Sequence, residues 1–300
     1  MKSELAISKI SNYLQGHFQS FKLRKRLSDF AYTFLVTADG KDYIIKLIEY
    51  RNVVSKIKHT RKHIEAMVMA SRMINQSCVI KTISVVDLVM EDGYAVLLIK
   101  KEKLSKINRV GPSLFHRLGK SMTNFHSACR SIDFQKLAWN NFPSHFIVAL
   151  KSRNRWREVN HFLSKSEKLV GRSRLKTVAC HNDIHAGNVY YSGRKIIFLD
   201  IDDMCSESCF NDLGMAVANF IDSHYSKDRA ISMIHLLLNS YGVGNSRRNI
   251  LSTLIFALRK SYFTEAYFLY VNAVQQKSTT FVNELRKRQC LLQSIIRDYL

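Results

Sequence analysis

Proline is nearly missing from this chain, at 2 residues in 300, and glycine is sparse at 11. Long linkers and low-complexity tracts depend on those residues, so the sequence reads as folded along its length. No apolar run is long enough to span a bilayer, and the opening MKSELAISKISNYL alternates polar and apolar residues without the apolar block of a secretory signal. Six cysteines (78, 129, 180, 205, 209 and 290) are scattered through a chain too large to need disulfide staples, which reads as reduced, buried thiols of a cytoplasmic protein. Cys205 and Cys209 have the spacing of half a metal site, but no second pair completes it. Acidic residues are also scarce: 24 against 46 Lys and Arg give a net charge of +22.

That excess is spread through FKLRKR (21–26), KIKHTRKH (56–63), KKEKLSK (100–106) and LRKRQ (285–289). Such a field attracts anions: nucleotides, phospholipid headgroups or acidic substrates. It allows a peripheral place at the inner membrane surface. Nucleic-acid binding has no motif behind it beyond charge, and would show as affinity falling steeply with salt.

Hydropathy patterning divides the chain in two. Residues 4–18 read as a helix. FAYTFLVT and YIIKLIEY flank an Asp-Gly turn and read as a hairpin. Residues 55–75 read as a helix with Ile64, Met67, Val68, Ser71 and Ile74 on one stripe, and 79–90 and 94–100 as two strands. From about 113 the pattern is helical, with one strand island at 189–199, and helix returns over 227–298. The expected fold class is α+β, with a β-rich lobe at 1–100 and a helical lobe at 101–300.

The chemistry concentrates in CHNDIHAGNV (180–189) and the apolar run after it. Phosphoryl transfer from ATP requires oxygen ligands for a divalent metal, a carboxylate for the proton of the attacking hydroxyl, and a cation on the phosphates. His-x-Asp-x-x-x-x-Asn supplies the carboxylate at Asp183 and a metal-binding amide oxygen at Asn188. Val189–Tyr191 and Lys195–Leu199 read as strands around Ser-Gly-Arg. That hairpin returns Asp200 to the same place, as a second metal ligand.

HNDIHAGNV, then IIFLDIDD, then NDLG resemble the aminoglycoside phosphotransferase and choline kinase superfamily, whose fold is that of the protein kinases. The Asp-x-Asp-Asp form also resembles the bacterial stress-response Ser/Thr kinases of that superfamily. The resemblance implies a bilobal protein-kinase-like fold using ATP and Mg2+. It makes Asp183 the catalytic aspartate and Asn188 and Asp200 metal ligands, with Asp202 assisting at the metal or phosphates. His181 and Asp212 support the catalytic loop. Lys46, on the strand YIIKL, takes the place of the phosphate-binding lysine, with Glu65 on the following helix as its acidic partner. The phosphate-covering segment falls on LSDFAYTF (27–34), which has no glycine, so Ser28 and backbone amides take its role. Asn182 stands where the family usually has glycine.

The expected partners are a nucleotide and a hydroxyl-bearing acceptor: a sugar, an amino alcohol, an antibiotic or a lipid-linked alcohol. The interval from Asp200 to Asp212 is too short for the activation segment of eukaryotic protein kinases. The net charge disfavours polycationic acceptors and shifts weight towards neutral or anionic ones. A protein Ser/Thr kinase of the stress-response type is the first alternative. A catalytically silent kinase-like binding module is the second.

Overall fold

Helix α1 (Ser3–His17) is followed by β1 (Phe21–Arg26), β2 (Tyr32–Ala38), β3 (Lys41–Glu49), α2 (Arg61–Asn75), β4 (Ile80–Thr82), β5 (Ser84–Glu91), β6 (Tyr94–Lys100) and β7 (Ser105–Lys106). This computed structural model describes residues 3–27, 32–50, 60–76, 80–91, 93–107, 109–136, 142–171, 177–193, 195–275 and 280–300. The β2–β3 hairpin turns at Asp39 and Gly40, whose φ angles of 45° and 75° are those of the tight turn that matches strand twist. Antiparallel pairing then builds a five-stranded sheet in the order β1-β2-β3-β6-β5.

Strand alternation gives that sheet two buried faces. One packs Phe34, Val36, Ile45, Leu47, Val96 and Leu98 against Ile10, Tyr13 and Leu14 of α1. The other packs Ile48, Leu97 and Ile99 with Ile64, Met67 and Val68 of α2. Lys46 lies in register with Ile44 and Ile48, so it points to the α2 side. Strand β1 is the basic run FKLRKR; Lys22, Arg24, Lys25 and Arg26 are exposed along an edge of the sheet. Charged edges of this kind resist edge-to-edge aggregation.

Helix α2 begins at Arg61, where the Thr60 hydroxyl accepts from the His63 N–H; residues 51–59, the start of the expected helix, lie outside the described residues. The strand expected over 79–90 is two strands in two sheets. Asn75 takes both the Thr82 N–H, at 3.0 Å, and the Ile83 carbonyl, at 3.0 Å, and so breaks the ladder between them. Strand β4 then runs parallel to β10 (Lys195–Phe198), in a sheet ordered β4-β10-β9-β7 whose β9 is Val189–Ser192.

The rest of the chain is mainly helical: α3 (Pro112–Ala128), α4 (Ser144–Lys151), α5 (Trp156–Gly171), α6 (Phe210–Phe220), α7 (Lys227–Tyr241), α8 (Arg247–Gln275) and α9 (Thr280–Tyr299). Sequence patterning misses a short antiparallel pair, β8 (Thr177–Cys180) with β11 (Cys205–Ser208), which brackets the 181–204 segment on both sides. Cys205 thus sits opposite Cys180 inside that ladder, not in a metal site with Cys209. Gly214 sets the approach of α6 to α8: a Cβ there would lie 2.6 Å from that of Phe256. Among the described residues no helix is long and apolar enough to cross a membrane.

Candidate active site

The loop between β8 and β9 is fixed from below by α6. Asp212, fully buried in the first turn of that helix, accepts from the His181 N–H at 2.7 Å, the Asn182 N–H at 2.9 Å and His126 Nε2 at 2.9 Å. Burial alone raises a carboxyl pKa, but the His126 hydrogen bond, the charges of His126 and His181 and the Asn182 amide outweigh it and hold Asp212 below the usual carboxylate range. Two turns further along α6, Asn219 Nδ2 donates to the Ile184 carbonyl at 2.8 Å. His181 Nε2 donates to the Leu199 carbonyl at 2.7 Å, and its Nδ1 accepts from the Asp183 N–H at 3.2 Å. Both ring nitrogens are thereby engaged, and the ring ties the loop to the hairpin's far end.

Held this way, the loop presents Asp183 with its side chain 28 % exposed. Asn188 Nδ2 donates to Asp183 Oδ2 at 2.9 Å and to its backbone carbonyl at 3.1 Å. That leaves the Asn188 amide oxygen for a cation. The β9–β10 hairpin returns the chain, and the Leu199 N–H closes onto the Asn188 carbonyl at 2.8 Å. Asp200 follows in the left-handed region at φ 54°, an unfavourable conformation for a residue with a Cβ. It aims a half-exposed carboxylate, 49 % accessible, toward Lys46 and close enough to Asp183 for their charges to interact.

Lys46 Nζ lies 2.5 Å from Asp200 Oδ1 and 2.5 Å from Asp202 Oδ2. The Lys46 charge pulls the Asp200 pKa down against burial. Burial disfavours the Lys46 ammonium, yet the two carboxylates reverse that and raise its pKa. Asp183, Asn188, Asp200 and Asp202 bring carboxylate and amide oxygens together, the hard donors that Mg2+ and Ca2+ take. His126, Cys180 and Asp212 also cluster, but all three are buried and already bonded to protein groups. Burial and the Asp212 charge push the Cys180 thiol well up, and it donates to the Ser208 carbonyl at 3.3 Å.

Residues 24–248 match the model of the phosphotransferase enzyme family. The chain belongs to that family. Its reaction class is phosphoryl transfer. No curated protein matches the sequence. Among solved structures, an amicoumacin kinase in complex with AMP-PNP, Ca2+ and Ami is similar at TM-score 0.69 and 15% identity, over 98% of this chain and 94% of that one. A microcompartment-associated aminopropanol kinase reaches 0.69 at 14%, over 97% and 98%. An ethanolamine kinase of Plasmodium vivax reaches 0.65 at 12%, over 100% and 97%. At these identities the likeness is one of fold: an α+β kinase-like molecule with an antiparallel sheet first and helices after.

This phosphotransferase departs from its sequence expectation at the partner of Lys46. Glu65 is exposed on α2 and is not the partner of Lys46; Asp202 is. The buried side of α2 carries His63 and Met67, and His63 Nε2 lies 2.7 Å from the Asp202 carbonyl. Ser28 lies outside the described residues, so the phosphate-covering role assigned to it has no structural account. Asn182 replaces glycine at φ 66°, a left-handed position that asparagine tolerates.

Two groups missed in the sequence approach Asp183. Lys260 of α8 places Nζ 3.2 Å from Oδ1, and His185 places Nε2 3.3 Å from Oδ2. Gly187 makes the second contact possible: a Cβ there would strike the His185 ring at 2.7 Å. For Lys260 a signal existed. Arg259 and Lys260 interrupt an otherwise apolar stretch of α8, and cations in a buried helix need anions.

Proposed function

We propose that this phosphotransferase is an ATP- and Mg2+-dependent kinase that phosphorylates a hydroxyl of a small molecule. The observation that carries this reading is the convergence of Asp183, Asn188, Asp200 and Lys46 from a loop, a hairpin end and a strand of the opposite sheet. Asp183 orients the acceptor hydroxyl and takes its proton. Asn188 fixes the Asp183 carboxylate through Nδ2 and offers its amide oxygen to the metal, and Asp200 offers a carboxylate. Bound Mg2+ supplies charge neutralisation across the phosphates. Lys46, flanked by Asp200 and Asp202, would hold a non-transferred phosphate. The chain's contribution is position and charge, without a covalent intermediate.

A small acceptor is favoured over a protein. The interval between Asp200 and Asp212 is filled by a 3₁₀ turn, Ile201–Asp203, and by β11, with no room for an activation segment. The exposed cations of β1 support, separately, attraction of the molecule to anionic surfaces.

Thermal unfolding with AMP-PNP tests the reading. At nucleotide about 100-fold above Kd, Mg2+-dependent binding adds about 2.7 kcal/mol of stability. Asp200→Ala should lose most of the Mg2+-dependent part, while Asp183→Asn keeps it and loses transfer to any acceptor. Absence of stabilisation in the wild-type chain would leave a silent kinase-like module as the better description.

A further inference from the structure

We propose that Lys260 makes the acceptor site selective for an anion: the hydroxyl phosphorylated belongs to a small molecule carrying a carboxylate or phosphate close to it. This rests on the kinase reading above.

Lys260 reaches Asp183 from α8, whereas Lys46 on β3 pairs with Asp200 and Asp202. Its side chain is 11 % exposed, and Asp183 is its recorded anion at 3.2 Å. A sheltered ammonium is stable only with a counter-charge. When Asp183 turns an oxygen to the acceptor hydroxyl, that pairing weakens, and an acceptor anion beside the hydroxyl restores it. His185, 3.3 Å from the other Asp183 oxygen, adds a second donor on the same carboxylate.

Carboxylates that would welcome an ammonium instead are already committed. Helices α8 and α9 contain three acidic residues. Glu265 is held by Arg155 at 3.2 Å and Arg286 at 2.8 Å, Glu284 by Lys287 at 2.6 Å, and Asp298 by Lys227 at 2.8 Å. Glu207 of β11 faces Arg259 at 3.7 Å. An aminated acceptor would therefore place its cation near Lys260 with no free acid on these helices to receive it. Specificity then arises from repulsion as much as attraction.

Matched acceptors differing only in charge provide the test. Ethanolamine, ethylene glycol and glycolate form one set; glucosamine, glucose and glucuronate form another. Each is titrated calorimetrically into the wild-type chain, Lys260→Met and Lys260→Arg, all saturated with AMP-PNP and Mg2+. In at least one set the anion should bind the wild type about tenfold or more tighter than the amine. Lys260→Met should bring that ratio within about threefold, and Lys260→Arg should keep it. An amine binding as well as the anion, a ratio untouched by Lys260→Met, or no binding by any member overturns the inference. So does, in a parallel assay with ATP in place of AMP-PNP, a uniform fall in turnover across all acceptors in Lys260→Met, which would place the ammonium on the transferred phosphoryl group. The nucleotide titration that precedes each run separates the two ideas: intact AMP-PNP binding with flat acceptor sets sinks the charge selection alone, and failure to bind nucleotide sinks the kinase reading with it.

Discussion

Asp212 and Asp183 are both carboxylates within reach of an imidazole, and they serve one loop, but their surroundings differ. Asp212 has no exposed surface and three donors on its two oxygens, two of them backbone amides. Asp183 is 28 % exposed, and its partners are side chains: Asn188, His185 and Lys260. Backbone donors cannot swing away, so Asp212 is a fixed part of the loop's architecture. Side-chain partners can, so Asp183 is able to exchange them for a hydroxyl. The contrast separates a carboxylate that builds the site from one that works in it.

The contrast breaks most directly by removing each carboxylate in turn. Asp212→Ala leaves two loop amides and His126 Nε2 without their partner in the interior and should destabilise the fold by about 3–5 kcal/mol. Asp183→Asn keeps an acceptor oxygen at a partly solvated position and should change stability by less than about 1.5 kcal/mol. Denaturant unfolding of the two variants beside the wild type measures this. Equal losses would mean that Asp183 is as structural as Asp212.

Acid sharpens it. The Asp212 carboxyl is buried, which by itself favours the protonated form, but its hydrogen bonds and imidazole neighbours hold its pKa below the usual carboxylate range. A depressed carboxylate contributes stability that is complete above the unfolded value and is lost as pH falls through the folded one. The stability gap between wild type and Asp212→Asn should therefore stay constant from pH 7 to 5 and narrow below about pH 4. The exposed carboxyls Asp42 and Glu284, also held low, titrate in both chains and cancel in the difference. A gap that stays unchanged to pH 3 would show that Asp212 contributes no linked stability.

What the sequence made legible follows the same division between local and distant contacts. The loop, the β9–β10 hairpin and Asp200 are joined by short stretches of chain, so spacing alone brought them together. Lys46 could be placed on its strand because β3 has a plain apolar pattern. Its partner was misassigned although the information was present. The stripe Ile64, Met67, Val68, Ser71 and Ile74 already fixes the buried side of α2, and Glu65 falls off it while His63, one turn before Met67, falls on it. Lys260 lies 77 residues from Asp183 on a helix buried nearly all round over 252–258, where periodicity marks no single face. Strands β8 and β11 are four residues each, too short for alternation to register, and β5 separates from β4 where the Asn75 and Ser71 side chains take backbone groups of Thr82 and Ile83.

The smallest expected effect concerns Asn182, where the family usually has glycine. Its φ of 66° is comfortable for glycine and tolerated by asparagine, whereas other side chains lose roughly 1–2 kcal/mol there. Asn182→Gly removes the Cβ strain but also the Asn211 hydrogen bond to Oδ1, at 3.2 Å, and frees the unfolded chain. These terms oppose one another, and the net change should lie within about 1 kcal/mol, with turnover preserved. Asn182→Ala lacks both the side-chain hydrogen bond and the glycine freedom, so it should be the less stable of the two variants. The Asn182 N–H to Asp212 survives either substitution, because it is a backbone donor. Unfolding midpoints of both variants decide the matter: if alanine proves as stable as glycine, the left-handed backbone here carries no strain, and asparagine at this position has some other cause.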